Sequence, residues 1–213
     1  MNGTPSCHGR SAWHHQLAHH FELSRPRRAK TGKALPTGNH CDWLPLPDGS
    51  TIRISLVDVS NPGVFVCVAD LGIPADEELT PQAVEGNVRL KARLEEVRRA
   101  GASAMGLDPD VESVPKIVLL FDNPSPGTDI RCLAMSMGQA HKAVPLTLAL
   151  CLGAASQLPE TIPWQFMGGQ KAVVIVGHPS GKVDIGTTFD GGEIKSADLR
   201  RTARVLMKGD VFY

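Results

Sequence analysis

The stretch from Ala143 to Ser156, AVPLTLALCLGAAS, carries apolar residues on nearly every face of a helix. A helix with no solvent face has to be enclosed by other elements, so it fixes the centre of whatever this chain folds into. Pro145 suits the first turn, where its missing N–H costs nothing. Just upstream, Ile130 to Met135 reads as a short strand and Ser136 to Lys142 as a loop of small residues. The loop is expected to set Ser136, Gly138 and His141 beside the unpaired N–H groups of the helix start, an arrangement suited to a carboxylate or phosphate. A core helix with a capping loop is the plainer reading of the same residues.

With 213 residues and 42% hydrophobic content, the chain can bury a substantial core as one large or two small domains. Its 22 basic and 22 acidic residues cancel, so no net field draws it to nucleic acid or a membrane surface. The longest apolar run is too short to span a bilayer, and no charged-then-apolar leader opens the chain. Five cysteines, Cys7, Cys41, Cys67, Cys132 and Cys151, form no CxxC pair. Three of them sit in apolar runs, which suits reduced thiols in a cytoplasmic protein without disulfides.

The first thirty residues hold five of the eight histidines and little periodicity, and are expected to be a disordered leader that does not pack on the rest. His14, His15, His19 and His20 have no carboxylate or cysteine at ligand spacing, so no metal centre is expected. Residues 31–47 read as a turn-rich linker and 48–213 as one lobe. Within the lobe, Thr51 to Val59 and Val64 to Val68 read as strands around the turn Ser60-Asn61-Pro62-Gly63. Thr80-Pro81 opens an amphipathic helix with Leu90, Leu94, Val97, Gly101 and Ala104 on its buried face and Arg89, Arg93, Glu95, Glu96, Arg98 and Arg99 on the others. Pro115 to Phe121, then Ala172 to Val176, Lys182 to Thr187, Glu193 to Arg200 and Thr202 to Phe212, complete a set of strands whose short connections favour antiparallel pairing. The pattern is that of an α+β lobe, a curved and mostly antiparallel sheet wrapped on a central buried helix. No nucleophile elbow, phosphate loop, dinucleotide fingerprint or metal quartet is present.

The ordered motifs LPTGN, SLVDVSNPGVFV, ADLG, RAGASAMGLD, MSMGQAHKAVPLT, GHPSGKVDIG and RTARVLMKGDVF resemble the C-terminal lobe of the PrpF family, from about Thr31 to the last residue. That family includes 2-methylaconitate, methylitaconate and oxalomesaconate isomerases with a diaminopimelate-epimerase-like fold. The resemblance implies a cofactor-independent isomerisation, by proton shift or cis-trans change, of a small unsaturated di- or tricarboxylic acid held in a cleft between two similar lobes. It also implies that Asn61, Ser136, Met137, Gly138, His141 and Thr147 face that cleft. Family members commonly have glycine after the PLT motif, whereas this chain has Leu148, whose bulk is expected to crowd the helix start. The lysine and cysteine that the family's N-terminal lobe supplies have no counterpart here, so no catalytic residue is assigned. A single lobe would then be inactive alone and would expose an apolar cleft face suited to association. Codons for WHHQLAHHFELSRP, shifted by one nucleotide, can encode GTTSSPITLSFLAP, so this segment is expected to be an inter-lobe strand translated out of frame.

Overall fold

A computed structural model describes residues 17–24, 29–74, 79–190 and 193–203. Ten strands form a single sheet: β1 (Leu17–Ser24), β2 (Asp42–Pro45), β3 (Thr51–Val59), β4 (Asn61–Cys67), β5 (Lys116–Phe121), β6 (Ile130–Ser136), β7 (Gln139–His141), β8 (Val173–His178), β9 (Gly181–Asp190) and β10 (Glu193–Ala203). Four helices cover it: α1 (Pro81–Gly86), α2 (Val88–Ala104), α3 (Leu146–Ala155) and α4 (Ile162–Met167). The order across the sheet is β1-β10-β9-β8-β6-β5-β4-β3-β2, with β7 hairpinned onto the end of β6. Most neighbours are antiparallel. The two parallel pairs, β4 with β5 and β6 with β8, are those whose connections are long enough to hold helices.

Side-chain alternation along the strands divides the core between the two faces of the sheet. Val57 and Val59 of β3, Val118 and Leu120 of β5, and Ile130, Cys132 and Ala134 of β6 face α3. Their neighbours Ile54, Leu56, Ile117, Leu119, Leu133 and Met135 face α2 through Leu90, Leu94 and Val97. Helix α3 also packs on Val183 and Ile185 of β9 and on Ile194, Ala197 and Leu199 of β10. One helix thus touches strands near opposite ends of the sheet order, which requires the sheet to curl around it. Leu148, Leu150 and Leu152 are all but fully buried. At roughly 1.5–3 kcal/mol each, their burial outweighs any difference in helix propensity along the segment.

The expected architecture is present, with four differences. The surface helix is split in two at Asn87, whose side chain caps the second part by accepting from the Leu90 N–H. Arg98 is buried on α2 rather than outward, because its guanidinium makes two bonds to Glu95 and three to the carbonyls of Pro109, Val111 and Val114. The expected Ser136 to Lys142 loop is mostly the β6–β7 hairpin. Finally, Leu17–Ser24, expected to be part of a disordered leader, pairs antiparallel along β10. Strand pairing uses backbone donors and acceptors and needs no side-chain periodicity. Residues 1–16 and 25–28 of the leader, with Cys7, Trp13, His14 and His15, lie outside the described residues, as does most of the run expected from Thr202 to Phe212.

Gly153 shows how closely the sheet approaches α3, since a Cβ there would lie 2.3 Å from Cγ2 of Ile185. In an exposed helix, glycine to alanine stabilises by about 1 kcal/mol; here overpacking wins. Gly153→Ala is expected to destabilise the chain by about 1–3 kcal/mol in urea unfolding, and combining it with Ile185→Ala should recover part of that loss relative to the sum of the single changes.

Candidate functional site

Three of the four helices begin with a side-chain cap. Thr80 accepts from the Ala83 N–H, Asn87 from Leu90 and Thr161 from Trp164. Helix α3 begins at Pro145 with no side-chain cap, and its first backbone bond runs from the Ala149 N–H to the Pro145 carbonyl. The N–H groups of Leu146, Thr147 and Leu148 therefore precede the first closed turn and carry the positive end of the helix dipole.

Strand register shows what stands around this helix start. Gly63, Lys116 and Ser136 lie in one row across β4, β5 and β6. Each is an even number of residues from a strand position that packs on α3, so all three present to the face α3 covers. Asn61, two residues before Gly63, shares that face, and its Nδ2 donates to Thr147 Oγ1 at 3.1 Å. Its Oδ1 is buried with no partner among the described residues. His141 stands opposite Ala134 in the β6–β7 hairpin and so turns to the same face. Among the positions expected to line a cleft, Asn61, Ser136, His141 and Thr147 therefore share one edge and one face.

Met137 and Gly138 play a different part. They form the two-residue turn of the hairpin, both at positive φ (51° and 67°), the conformation that turns antiparallel strands with their natural twist. Met137 is 61% exposed at the tip, and with Ser136 and Gly138 it borders a shallow groove beside Lys91, Leu94 and Glu95 of α2. Leu148 does not crowd the helix start. It is fully buried, and a Cβ on Gly63 would lie 3.3 Å from its Cδ1 and 2.9 Å from the Phe65 ring, so the missing side chain at Gly63 makes room for both.

A larger cavity of about 410 Å3 lies elsewhere, on the α2 side near the other end of β6, lined by Thr80, Phe121, Ser125, Arg131, Leu133 and His178 among others. Arg131 lies over the Phe121 ring there, 4.4 Å from its centroid. None of the six expected site residues lines it. Neither this cavity nor the place of Lys116 on the α3 face is visible in the sequence, because both appear only once the strands are in register.

The described residues hold no cluster of three or more metal-ligating side chains, and none of their helices is long and apolar enough to cross a membrane.

A solved structure shares this fold. A crystal structure of methylitaconate delta-isomerase superposes with a TM-score of 0.75 at 31% identity, over 88% of this chain and 54% of that one. The model of the PrpF protein family matches residues 18–213, and the chain belongs to that family. The match starts earlier than Thr31 and takes in most of β1 in the frame as written. Curated relatives include 3-methylitaconate isomerase of Eubacterium barkeri, 33% identical over 90% of this chain and 55% of the relative, and 2-methyl-aconitate isomerase of Cupriavidus necator, 30% identical over 84% and 50%. Another is 4-oxalomesaconate tautomerase of Pseudomonas putida, 29% identical over 86% and 50%. The chain spans about half the length of these relatives.

The thiols near α3 are inert. Burial pushes both Cys132 and Cys151 up to about 12, and Cys151 also donates to the Val57 carbonyl. Because the folded-state values lie above those of the unfolded chain, their contribution to stability is intact below about 9 and is lost as pH rises from there towards 12. A thiol reagent at pH 8 is expected to modify the half-buried Cys41 well before Cys132 or Cys151, which should react only as the chain unfolds; peptide mapping by mass spectrometry reads the order.

Proposed function

We propose that this lobe binds a carboxylate of an unsaturated di- or tricarboxylic acid and works in its isomerisation. The observation that carries this is the uncapped start of α3, with Asn61, Ser136, His141 and Thr147 gathered on its face. Three backbone N–H groups and the helix dipole suit a carboxylate oxygen better than they suit water. The names of the relatives, isomerases of methylitaconate, methylaconitate and oxalomesaconate, support the substrate class.

In such a reaction a base removes a proton from the carbon next to the double bond. Electrons shift through the conjugated system toward the carboxylate, and a proton returns at another carbon. Negative charge grows on the carboxylate oxygens during the first step. Donors fixed before the reaction at the start of α3 would stabilise that charge most, because they need no reorganisation. The proton-transferring groups are a separate matter. Cys132 and Cys151 are held protonated in the core and Cys67 is buried with its thiol pushed up by burial, so none of the three is poised to transfer a proton. We infer that a second lobe, in the same polypeptide or another chain, supplies them.

Two measurements test this. By calorimetry the chain is expected to bind cis-aconitate, and Asn61→Asp, which puts a like charge at the site, is expected to weaken binding by about tenfold or more with an unchanged circular dichroism spectrum. Equal affinity in the variant rejects the site. In deuterium oxide with 2-methylaconitate, the chain alone is expected to show no exchange at the substrate carbons, and exchange at an enzymic rate would reject the need for a second lobe.

A further inference from the structure

Lys116 opens β5 in the row between Gly63 and Ser136, on the face that α3 covers. Strand spacing and rise put its Cα roughly 8 Å from that of Asn61, within reach of an extended lysine side chain. Its Nζ donates to one partner, the Ser113 carbonyl at 2.7 Å, and no carboxylate among the described residues pairs with it. Lys30 stands near enough for the two like charges to act on each other. The neighbouring residue, Thr31, is pinned by giving both its N–H and its hydroxyl to Asp58 Oδ2, at 2.7 and 2.8 Å. Asp58, opposite Pro62 in the β3–β4 pair, pairs with neither lysine; its Oδ2 holds Thr31 and its Oδ1 is buried with no partner among the described residues. Burial and the Lys30 charge together depress the Lys116 ammonium below the usual lysine range. Two cations within Coulomb range of each other, with no carboxylate partner among the described residues, are an unfavourable arrangement that an added anion relieves.

We propose that Lys116, with Lys30 beside it, receives a second carboxylate of the acid whose first carboxylate sits at the start of α3, so that this edge selects acids with two or more carboxylates over monocarboxylates. The inference rests on the reading of α3 given above and adds the residues that set the number of charges accepted. Neither lysine is singled out by sequence: Lys30 ends the irregular leader and Lys116 looks like an ordinary charge before an apolar strand.

Calorimetric titration of the full chain and its variants with cis-aconitate, itaconate and crotonate, which carry three, two and one carboxylates, tests it. Lys116→Met keeps the apolar stem and removes the charge. It is expected to weaken cis-aconitate and itaconate about tenfold, the size of one lost charge-assisted hydrogen bond, and to leave crotonate within about twofold. Lys116→Arg should restore most of the loss, and Lys30→Gln should give a smaller loss of the same pattern. A loss that is equal for crotonate overturns the proposal, since the lysine would then hold the first carboxylate or the fold itself. Unchanged binding of all three acids in Lys116→Met, with cis-aconitate still weakened by Asn61→Asp, overturns it while sparing the α3 site. Failure of the unaltered chain to bind any of the acids overturns both.

Discussion

Burial of α3 on all sides is the constraint on which the rest of the structure depends. A ten-residue helix with Leu148, Leu150 and Leu152 in the core cannot lie on a flat sheet without exposing one of its faces. The sheet therefore bends until β3 and β4 cover one side of the helix and β9 and β10 the other. Small residues make the closeness feasible: Gly153 leaves room for Ile185, and Gly63 for Phe65 and Leu148. The opposite face of the same strands is then free to take α2, where Gly101 allows an equally close approach to Val64.

Enclosure leaves α3 only its ends to meet solvent or ligand. Its N-terminal end comes out at the edge where β3 turns into β4, where β5 begins and where β6 ends. That convergence, and not proximity in sequence, is what sets Asn61, Lys116, Ser136 and Thr147 together. A side-chain cap at this position would occupy the donors that an anionic ligand needs. The other three helices have side-chain caps that take up one of these donors each.

Much of this was legible in the sequence, for physical reasons that also explain what was not. The all-apolar run from Ala143 and the periodic Leu90, Leu94 and Val97 announce their helices because burial enforces periodicity. Strands β3 and β9 alternate in part for the same reason, and β5 is a continuous apolar run because both of its faces are covered. The β6–β7 hairpin was missed because β7 has three residues, too few for a pattern, and its turn is Met137-Gly138 with a bulky side chain at positive φ. Helix α4, six residues from Ile162 with a proline in its first turn, is likewise below the length at which periodicity speaks. Strand β1 was missed because its place is fixed by the backbone of β10. At the site, the residues carried by resemblance to the family include four on the shared face, while Lys116 depends on a register that no single segment encodes.

We propose that an acid binds at the start of α3 and not in the larger cavity beside Arg131. Amide chemical shifts of the labelled chain, recorded by two-dimensional NMR during titration with cis-aconitate, test it most directly. The largest changes are expected on Leu146, Thr147, Leu148 and Asn61, with Ser125, Arg131 and His178 little moved. Changes concentrated on Ser125, Arg131 and His178, with the start of α3 unaffected, would contradict it.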